Sequence, residues 1–518
     1  MSTRPTIFVR PPEHMVADES REALAGKSGL YLRAGRLAYV CTLASPEVSD
    51  HGVIPPGNVL IKNVGPALLR ERLSEAANYM RLRAGASEPV SALVPDYLPG
   101  MILEEPGGAG FPDLRCVVTV PVVLADGSIH ATRGVLREGI LYEGREGCYE
   151  VPEYPSEEER QHALEELYLV VADFPWPGEL CGNSHRAAWI ACLFTIVGRF
   201  SFEGQCPYGV IDGNTSSAGK GLLATITAII CTGAEPPAMT CPSNEEELRK
   251  SILPVLAAGT RLQLLDELQE GFGGKHWNGM VTSKMYRGRI LGTSTIQTVG
   301  NDTFWLCTGN NVSLQPESAR RCLYLRLETF QDHPESRSGF RIPNLVDYVI
   351  DNQAKLLRSV LTLLRAFIVA GRPASGLAPW GSFESWSRTV RDAVVFATGV
   401  DPDCRGDLDS TADQGRILHA DLIRALRGTF GAKPFTTRVA IDRCGEDQEL
   451  RDALEAVCPA RDGVFSPGAV GKRFSALRRR PAKGFLLEQC PDDDRGGGRR
   501  WCIQSSESMQ LRSRGTTT

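Results

Sequence analysis

One glycine- and serine-rich segment has the composition needed to bind phosphate. It runs YGVIDGNTSSAGKGLLATITAIIC over residues 208–231, an apolar run followed by a loop and a stretch that predicts a helix. Such a loop turns successive backbone N–H groups toward one point, the helix N-terminus adds its positive end, and Lys220 supplies a point charge. The sequence therefore predicts a phosphate-binding loop, with contacts from Gly213, Asn214, Ser217, Gly219, Lys220 and Gly221.

The loop differs from the usual phosphate-loop pattern at two positions. Asn214 stands where the first glycine is expected, with Gly213 one place earlier. Gly221 follows Lys220, where a serine or threonine hydroxyl usually reaches Mg²⁺. Taken alone, these residues also fit a flexible loop whose lysine is merely solvated.

Two later apolar runs also end in polar side chains. RLQLLDELQEG (261–271) predicts a strand ending at Asp266 and Glu267, and DTFWLCTGNNVSL (302–314) predicts one ending at Thr308. A carboxylate at a strand end can hold Mg²⁺ while the next one polarises an attacking water, so we assign Asp266 to the metal and Glu267 to the water. Asn310, two residues after Thr308, is placed to orient that water. The alternatives are a chance acidic pair and an asparagine-rich turn.

A pair of arginines precedes a further apolar run. Arg320 and Arg321 lie in QPESARRCLYLRLE (315–328). In a ring of identical subunits, such arginines project into the neighbour's nucleotide site and stabilise charge on the transferring phosphoryl group. A solvated surface pair is the alternative.

The elements that must position these residues alternate between short apolar strands and helices from about 200 to 330. This alternation is typical of a mostly parallel α/β sheet. Before it, residues 30–43 predict a hairpin with a turn at Ala34-Gly35, and residues 66–85 predict an amphipathic helix. After residue 330 helices dominate, and the order of helices and strands near the C-terminus fits a winged-helix module.

Composition excludes several classes of protein. The 518 residues include 57 Lys+Arg and 62 Asp+Glu, a net charge of −5, so nucleic acid must be bound through a local basic patch. The 15 cysteines include no C-x-x-C pair, which argues against a zinc ribbon and favours a reduced, cytoplasmic protein. The apolar run at 187–198 is too short to span a bilayer, so no membrane association is expected.

The order of phosphate loop, Asp-Glu strand, Thr-Gly-Asn-Asn and Arg-Arg resembles the AAA+-type helicases of superfamily 3. It resembles more closely the primase-associated replicative helicases of phages and mobile genetic elements. MVTSKMYRGRILGTSTIQ (280–297) looks like the segment that these proteins carry before their sensor strand. GLYLRAGRLAYV and VVLADGSIHATRG look like the family's N-terminal region, and GSFESWSRTVRDAV looks like its C-terminal region. Glu317 stands where an aspartate commonly precedes the arginine pair.

The resemblance implies an α/β fold with an AAA+-like P-loop ATPase core. It also implies a homo-hexameric helicase or translocase that uses ATP and Mg²⁺ on single-stranded or forked DNA, with any primase a separate protein. Asn310 would sense the γ-phosphate, and Arg320 or Arg321 would act on the neighbouring subunit. The expected segments are an N-terminal α/β region (1–145), a helical linker (146–199), the ATPase core (200–335), a helical region (336–405), a winged-helix-like domain (406–495) and a frayed tail (496–518).

In this family a hairpin between the Asp-Glu strand and the sensor strand lines the central DNA channel. Basic side chains near it suit contacts to phosphates that do not depend on base sequence. A second basic cluster falls in the expected winged helix, where it would contact duplex backbone. Solvated surface charge is the alternative in both places. The candidates are Lys275, His276, Lys284, Arg287, Arg289, Lys472, Arg473, Arg478 and Arg479.

Two other functions remain open. The first is an ATP-binding initiator or assembly scaffold without turnover, which Gly221 favours. The second is a small-molecule nucleotide kinase, since such enzymes tolerate a Gly-Lys-Gly loop but need neither a trans arginine pair nor a DNA-binding module.

Overall fold

The chain divides into two compact units, residues 1–405 (the large unit) and 406–518 (the small unit). No helix in the described part of the chain combines the length and apolar character that crossing a bilayer needs. The computed structural model describes residues 4–25, 29–49, 52–83, 87–105, 110–147, 149–289, 296–329, 336–460, 464–478, 482, 484–490 and 499–505.

The N-terminal part of the large unit has an apolar core of its own, which includes the fully buried side chains of Leu69 and Leu73. Its strands form small sheets, and the predicted hairpin is confirmed, with Ala34 and Gly35 at positive φ in the turn. The elements are β1 (Thr6–Phe8), α1 (Glu13–Ala25), β2 (Tyr31–Arg33), β3 (Arg36–Thr42), β4 (Glu47–Ser49), β5 (Gly52–Ile54), β6 (Val59–Asn63), α2 (Pro66–Ala76), β7 (Asn78–Arg81), β8 (Val90–Ser91), α3 (Leu98–Glu104), β9 (Cys116–Val118), β10 (Val122–Val123), β11 (Ile129–His130), β12 (Leu136–Arg137) and β13 (Ile140–Tyr142).

The helix predicted over 66–85 is too long, because α2 ends at Ala76. Ala77 is already extended, and the next residues form β7, which pairs in parallel with β1. This pairing buries Tyr79 in the N-terminal core, so tertiary contacts override the local helical pattern.

Two helices connect this part to the central sheet. The first begins with a capping box in which Ser156 and Glu159 satisfy each other's backbone N–H groups, an arrangement that contributes about 1 kcal/mol. The second is buried through its C-terminal half, where it packs on the first helix and last strand of the core. They are α4 (Glu157–Val170) and α5 (Glu179–Val197).

The core alternates strands and helices, as the sequence predicts. The elements are β14 (Tyr208–Gly213), α6 (Lys220–Thr232), β15 (Ala238–Thr240), α7 (Glu245–Ala258), β16 (Leu262–Asp266), α8 (Lys275–Thr282), β17 (Met285–Arg289), β18 (Ile296–Gly300), β19 (Phe304–Asn310), α9 (Pro316–Ala319) and β20 (Cys322–Leu327). The apolar strands of the central sheet are largely buried, whereas the hairpin β17–β18 between β16 and β19 is mostly exposed and forms a separate two-stranded sheet.

The central sheet has seven strands in the order β20-β14-β19-β16-β15-β5-β4. The first five are parallel, and β5 and β4 add an antiparallel extension from the N-terminal region. Because parallel strands share direction, their carboxyl ends meet on one side of the sheet, which we call the carboxyl side. The strand order reverses at β14, which has β19 and β20 as neighbours, and a crevice for ligands is expected outside such a point.

After β20 the large unit is helical, and the longest helix of this last part, Gln353–Val369, packs on α4 and α6. A π-helical turn, Ser387–Arg391, interrupts the last helix. Arg391 there forms a two-pronged ion pair with Asp401. The helices are α10 (Leu345–Asp351), α11 (Gln353–Val369), α12 (Glu384–Trp386) and α13 (Asp392–Thr398).

The small unit packs helices against an antiparallel sheet of order β21-β23-β22 around buried Leu426, Phe474 and Trp501. Its middle strand lies in the segment for which the sequence predicted a frayed tail. Trp501 and Ile503 alternate into the core and make that segment a strand. The elements are α14 (Arg405–Phe430), β21 (Phe435–Thr436), α15 (Thr437–Arg443), α16 (Gln448–Val457), α17 (Pro467–Leu477), β22 (Phe485–Gln489) and β23 (Arg500–Ser505).

Candidate phosphate-binding site

The glycine-rich loop joins the carboxyl end of β14 to the first residue of α6, which is Lys220. Gly219 precedes the helix with φ 93°, a conformation that favours glycine. Gly213 lies directly under the lysine, since a Cβ added there would be 3.0 Å from Lys220 Cδ and 3.2 Å from its Nζ. The glycines at 213 and 219 therefore allow the loop to close around the lysine side chain.

The ammonium group of Lys220 is enclosed by the loop itself. Its Nζ donates to the carbonyl oxygens of Thr215 at 2.6 Å and Ser216 at 3.4 Å, and to Asn310 Oδ1 at 2.6 Å. The residue is only 7% exposed. Burial lowers the pKa of Lys220, and the charges of Asp212 and Asp266 partly oppose that shift.

Other loop residues have different environments. The side chain of Asn214 exchanges hydrogen bonds with the backbone of Thr329, so it joins the loop to the end of β20. Ser217 is exposed, and a Cβ added at Gly221 would meet nothing within 4 Å. Thr215 Oγ1 is buried without a hydrogen-bond partner among the described residues. A buried hydroxyl of this kind is a group that a bound phosphate can satisfy.

Asp266 lies at the end of β16 beside the end of β19. Its Oδ1 accepts a hydrogen bond from Thr308 Oγ1 and another, at 3.0 Å, from the backbone N–H of Glu267. These contacts fix the carboxylate through one oxygen, and Oδ2 takes part in neither. A hard oxygen ligand held in this way fits Mg²⁺, which usually takes one or two carboxylates and completes its shell with phosphate and water. The described residues contain no group of three or more His, Cys, Asp or Glu side chains able to hold a metal.

Glu267 is exposed and has φ 58°, an uncommon conformation for a residue with a side chain. The turn there is held by the bond to Asp266 and by the Leu268 N–H, which donates to Thr308 O at 2.8 Å. Backbone strain at a strand end next to a fixed carboxylate is a feature that clusters at functional sites.

Asn310 ends β19, level with Gly213 of β14 in the parallel register. Its amide oxygen contacts Lys220, and the structure shows no contact between it and the acidic pair. The adjacent Asn311 has φ 46° and donates its backbone N–H to Gly213 O at 2.9 Å. The structure thus brings three of the predicted strand ends together on the carboxyl side, at Gly213, Asp266 and Asn310.

A buried carboxylate that the sequence reasoning missed connects these elements. Asp212 Oδ1 accepts from the N–H groups of Gly213 at 2.8 Å and Val312 at 3.0 Å. Its Oδ2 accepts from Tyr324 Oη at 2.7 Å and Arg326 Nη1 at 2.6 Å. The signal was present in the sequence, because Asp212 and Arg326 are the opposite charges inside two otherwise apolar runs.

The arginine pair lies at the other end of the molecule's central sheet. Arg320 and Arg321 precede the amino end of β20, whereas Lys220 follows the carboxyl end of its neighbour β14. A strand of this length spans roughly 20 Å, so neither arginine reaches the loop of its own chain. Both contact Glu317, and Arg320 is the more exposed, at 59% of its side chain against 14% for Arg321.

The basic residues predicted to contact DNA fall into separate groups. Lys284, Arg287 and Arg289 are exposed on or beside the antiparallel hairpin β17–β18. Lys275 and His276 instead begin α8, where the His276 N–H donates to Glu245. In the small unit, Lys472 and Arg473 are exposed on α17. Arg478 pairs with the buried Glu488, and Arg479 lies outside the described residues.

A cavity of about 440 Å³ opens beside the loop. Its wall on the loop side is Ser217–Gly219 with Leu222, and its other walls are mostly apolar. Phe174 forms part of the wall, and a Cβ added at Gly219 would be 3.2 Å from its ring. The remaining wall residues are Leu169, Val170, Asp173, Pro175, Arg337, Phe340, Ile342, Pro343, Asn344, Leu345, Val346 and Asp347.

Comparisons with known proteins give distant similarities to solved structures, some of which are helicases. No family model matches the chain, and no curated protein matches it. The chain is similar to the C-terminal region of NrS-1 in its A-form apo structure, at 12% identity and a TM-score of 0.33, over 63% of this chain and 66% of that one. It is similar to JCV helicase at 15% identity and a TM-score of 0.21, over 47% and 68%.

A third similarity spans nearly the whole chain. It is to the SCCmec type IV Cch active helicase, at 10% identity and a TM-score of 0.33, over 94% of this chain and 99% of that one. The chain spans just under two thirds of the NrS-1 region that it matches. Because all of these TM-scores are below 0.5, we rest the functional proposal on the geometry of the site.

Proposed function

We propose that this chain is an ATP-driven DNA helicase or translocase that hydrolyses ATP between subunits of a homo-oligomeric ring. The single observation that carries the proposal is the convergence of three strand ends on one ammonium group and one carboxylate. Lys220 Nζ lies 2.6 Å from Asn310 Oδ1, and Thr308, on the same strand as Asn310, binds Asp266. Replication of a phage or mobile genetic element is the setting that the sequence resemblance implies.

In this proposal the triphosphate of ATP lies along the loop, and Lys220 exchanges its carbonyl partners for phosphate oxygens. Asp266 holds Mg²⁺, which when bound neutralises phosphate charge and draws electrons from the bond that breaks. Glu267, exposed beside Asp266, takes a proton from the attacking water. Asn310 loses its contact with Lys220 when a γ-phosphate is present and keeps it when the γ-phosphate is absent.

The cavity beside the loop suits the base of the nucleotide. Its apolar walls and its position against Ser217–Gly219 allow a purine to stack while the phosphates stay on the loop. Phe174 and Leu222 supply the apolar surface nearest to the loop.

The position of the arginine pair supports hydrolysis between subunits. Arg320 and Arg321 lie at the amino ends of the strands, whereas their own loop lies at the carboxyl ends. Any contact that they make with a triphosphate is therefore with a triphosphate bound to another chain. The exposed hairpin β17–β18, with Lys284, Arg287 and Arg289, supplies the DNA contacts.

The test is steady-state ATP hydrolysis with and without single-stranded DNA. We expect turnover that DNA stimulates and that Glu267→Gln abolishes while nucleotide affinity is kept. Arg320→Ala or Arg321→Ala should behave likewise, and mixing the inactive arginine variant with Lys220→Ala protein should restore part of the activity. Glu270→Gln, a nearby exposed carboxylate, serves as the control.

The second candidate is an ATP-binding initiator or scaffold without turnover, which Gly221 favours because no hydroxyl follows Lys220. Under this alternative, nucleotide binds and assembly responds to it, but the wild-type chain releases no phosphate with or without DNA. Turnover that is lost in Glu267→Gln excludes the scaffold.

A further inference from the structure

We propose that Arg326 is a positioning residue that ties the nucleotide site of its own subunit to the arginine pair at the opposite end of β20. This inference rests on the proposed function. It assigns to the buried network around Asp212 a role in communication between neighbouring sites.

The first observation is the number of elements that meet at Asp212. Its two oxygens receive hydrogen bonds from the loop at Gly213, from the turn after β19 at Val312, and from β20 through Tyr324 and Arg326. The carboxylate is 1% exposed, so these four donors are its environment rather than water. Any shift of one element against the others must break or stretch a bond to a buried charge, which is costly.

The second observation is that the guanidinium group of Arg326, which we call the fork, binds a different side chain through each of its three nitrogens. Nη1 binds Asp212, Nη2 reaches Asn311 Oδ1 at 3.3 Å, and Nε binds Glu328 at 2.6 Å. Asn311 follows directly on Asn310, whose amide oxygen contacts Lys220. A single side chain of β20 therefore contacts the turn that responds to the occupant of the loop.

The third observation is that β20 is an edge strand of the central sheet. Within the described residues it pairs with β14 alone, so one of its long sides is free of strand neighbours. Its carboxyl end is held by Arg326 and by the Glu328 N–H, which donates to Pro175 O at 2.7 Å. Its amino end continues from Arg320 and Arg321. Rigid secondary elements are among the structures that carry coupling between sites, and β20 is the element that joins Arg326 to the arginine pair.

The expected behaviour follows from these contacts. When a γ-phosphate replaces Asn310 as the partner of Lys220, the turn at Asn310–Asn311 is released, and the fork of Arg326 transmits that change to β20. The arginine pair then meets the neighbour's triphosphate only when its own subunit is loaded. Without the fork, β20 no longer responds, although the loop can still bind nucleotide.

A doping experiment separates this role from a structural one. Subunits with Glu267→Gln bind ATP without hydrolysing it, so adding them to the wild type shows only what they do to their neighbours. We expect Glu267→Gln/Arg326→Ala subunits to lower hydrolysis per wild-type subunit further than Glu267→Gln subunits do. An arginine finger raises the rate of hydrolysis by several orders of magnitude, so a wild-type subunit whose neighbour withholds it is almost inactive. At equal mixing about half of the wild-type subunits have such a neighbour, and the additional loss should approach about half of the activity.

Glu267→Gln/Arg72→Ala subunits, altered at an exposed arginine in the N-terminal region, should match Glu267→Gln alone. The proposal is overturned if Glu267→Gln/Arg326→Ala subunits lower hydrolysis per wild-type subunit by the same amount as Glu267→Gln subunits at every mixing ratio. The proposed function fails separately, if the wild type shows no turnover or if neither Glu267→Gln/Arg320→Ala nor Glu267→Gln/Arg321→Ala subunits lower their neighbours' activity.

Because Arg326→Ala leaves a buried carboxylate with fewer partners, its folding and its incorporation must be measured by thermal unfolding and native mass spectrometry. If it fails either check, Arg326→Lys carries the same test, since it keeps the charge but cannot bridge Asp212 and Asn311. We expect Arg326→Lys to leave the affinity for a non-hydrolysable ATP analogue within about threefold of the wild type while lowering kcat of the neighbouring subunits. An unchanged kcat of the neighbours excludes the relay.

Discussion

At the scale of single residues, the candidate phosphate loop combines a buried lysine with a helix start that lacks a hydroxyl. Lys220 is enclosed by carbonyl oxygens, and Gly221 faces open space. The missing hydroxyl removes one ligand that Mg²⁺ would otherwise take from the protein, so the cation depends on Asp266, phosphate and water. The roles of Gly221 and Lys220 can each be tested by measuring nucleotide binding.

Gly221→Thr should strengthen the use of Mg²⁺. The open space accepts the side chain, and a hydroxyl bound to a cation contributes about 1.5 kcal/mol, roughly a tenfold change in affinity. We expect the Mg²⁺ concentration for half-maximal nucleotide binding to fall by several fold. Gly221→Ala, which improves helix propensity without adding a hydroxyl, should leave that concentration unchanged. Equal effects of the two substitutions would falsify the explanation.

The pH dependence of nucleotide binding should report on Lys220. Burial lowers the pKa of Lys220, so the ammonium is lost at a lower pH than the ammonium of an exposed lysine. Affinity of the free protein for ATP should therefore weaken as the pH rises, and should begin to do so at a lower pH than an exposed lysine would cause. Lys220→Arg should remove this alkaline loss, because a guanidinium stays charged. If the loss persists in that variant, another group causes it.

How much of the site the sequence could predict depends on the residue. Lys220, Asp266 and Asn310 follow apolar runs, and the parallel register of β14, β16 and β19 brings them together as expected. The contact of Asn310 with Lys220 could not be predicted, since it depends on which rotamer the loop carbonyls leave open. Asp212 and Arg326 were missed because a charged residue inside an apolar strand has meaning only when its cross-strand partner is known.

At the scale of elements, the hairpin β17–β18 presents its cationic residues on the surface of the large unit. Arg287 and Arg289 alternate with Tyr286 and Gly288, so the two guanidiniums leave the same face of the strand. Gly288 lies close to α7, because a Cβ added there would be 3.2 Å from the side chain of Leu253. The hairpin thus packs on α7 and carries two positive charges along one face.

Arg287→Ala should weaken single-stranded DNA binding and reduce its dependence on salt. Each phosphate contact contributes about 0.7 to the slope of log affinity against log salt, and the variant should lose about that amount. A fluorescence titration at several salt concentrations measures the slope. Met285→Ala, which alters an exposed uncharged residue of the same strand, is the matched control. A loss of affinity with an unchanged slope would mean that Arg287 contacts no phosphate.

The elements themselves were predicted unevenly. The buried strands of the core are continuous apolar runs that flank helices, and that pattern identifies them. By contrast, β4 and β5 have three residues each and carry no periodic signal, so their addition to the central sheet was not foreseen. The same limitation applies to β7, which the sequence assigned to a helix and which is a strand because it pairs with β1 on one side and with β8 on the other.

At the scale of the whole molecule, the proposed nucleotide contacts and the candidate winged helix lie in different compact units. Every residue around Lys220 belongs to the large unit, whereas the small unit has a separate apolar core around Phe474 and Trp501. This separation indicates that the two units can carry separate activities.

A chain that ends at Arg405 should keep its nucleotide affinity within about twofold and lose affinity for forked DNA. Lys472→Ala with Arg473→Ala in the full chain should reproduce the DNA defect, because both residues are exposed on α17. Isothermal titration with an ATP analogue and gel shifts with forked DNA measure the two properties. Full DNA affinity in both variants would assign the small unit to another role.

The antiparallel extension of the central sheet has a practical consequence. Val53 of β5 pairs with Ala238 of β15, so the N-terminal region covers a strand that would otherwise offer unpaired amide and carbonyl groups to any passing chain. The fit is close enough that a Cβ at Gly52 would collide with the carbonyl of Ala238. A chain shortened to begin near residue 200 should therefore self-associate through the exposed edge of β15, and the whole N-terminal region, whose apolar core extends from Ile7 to Phe111, should be kept to cover that edge.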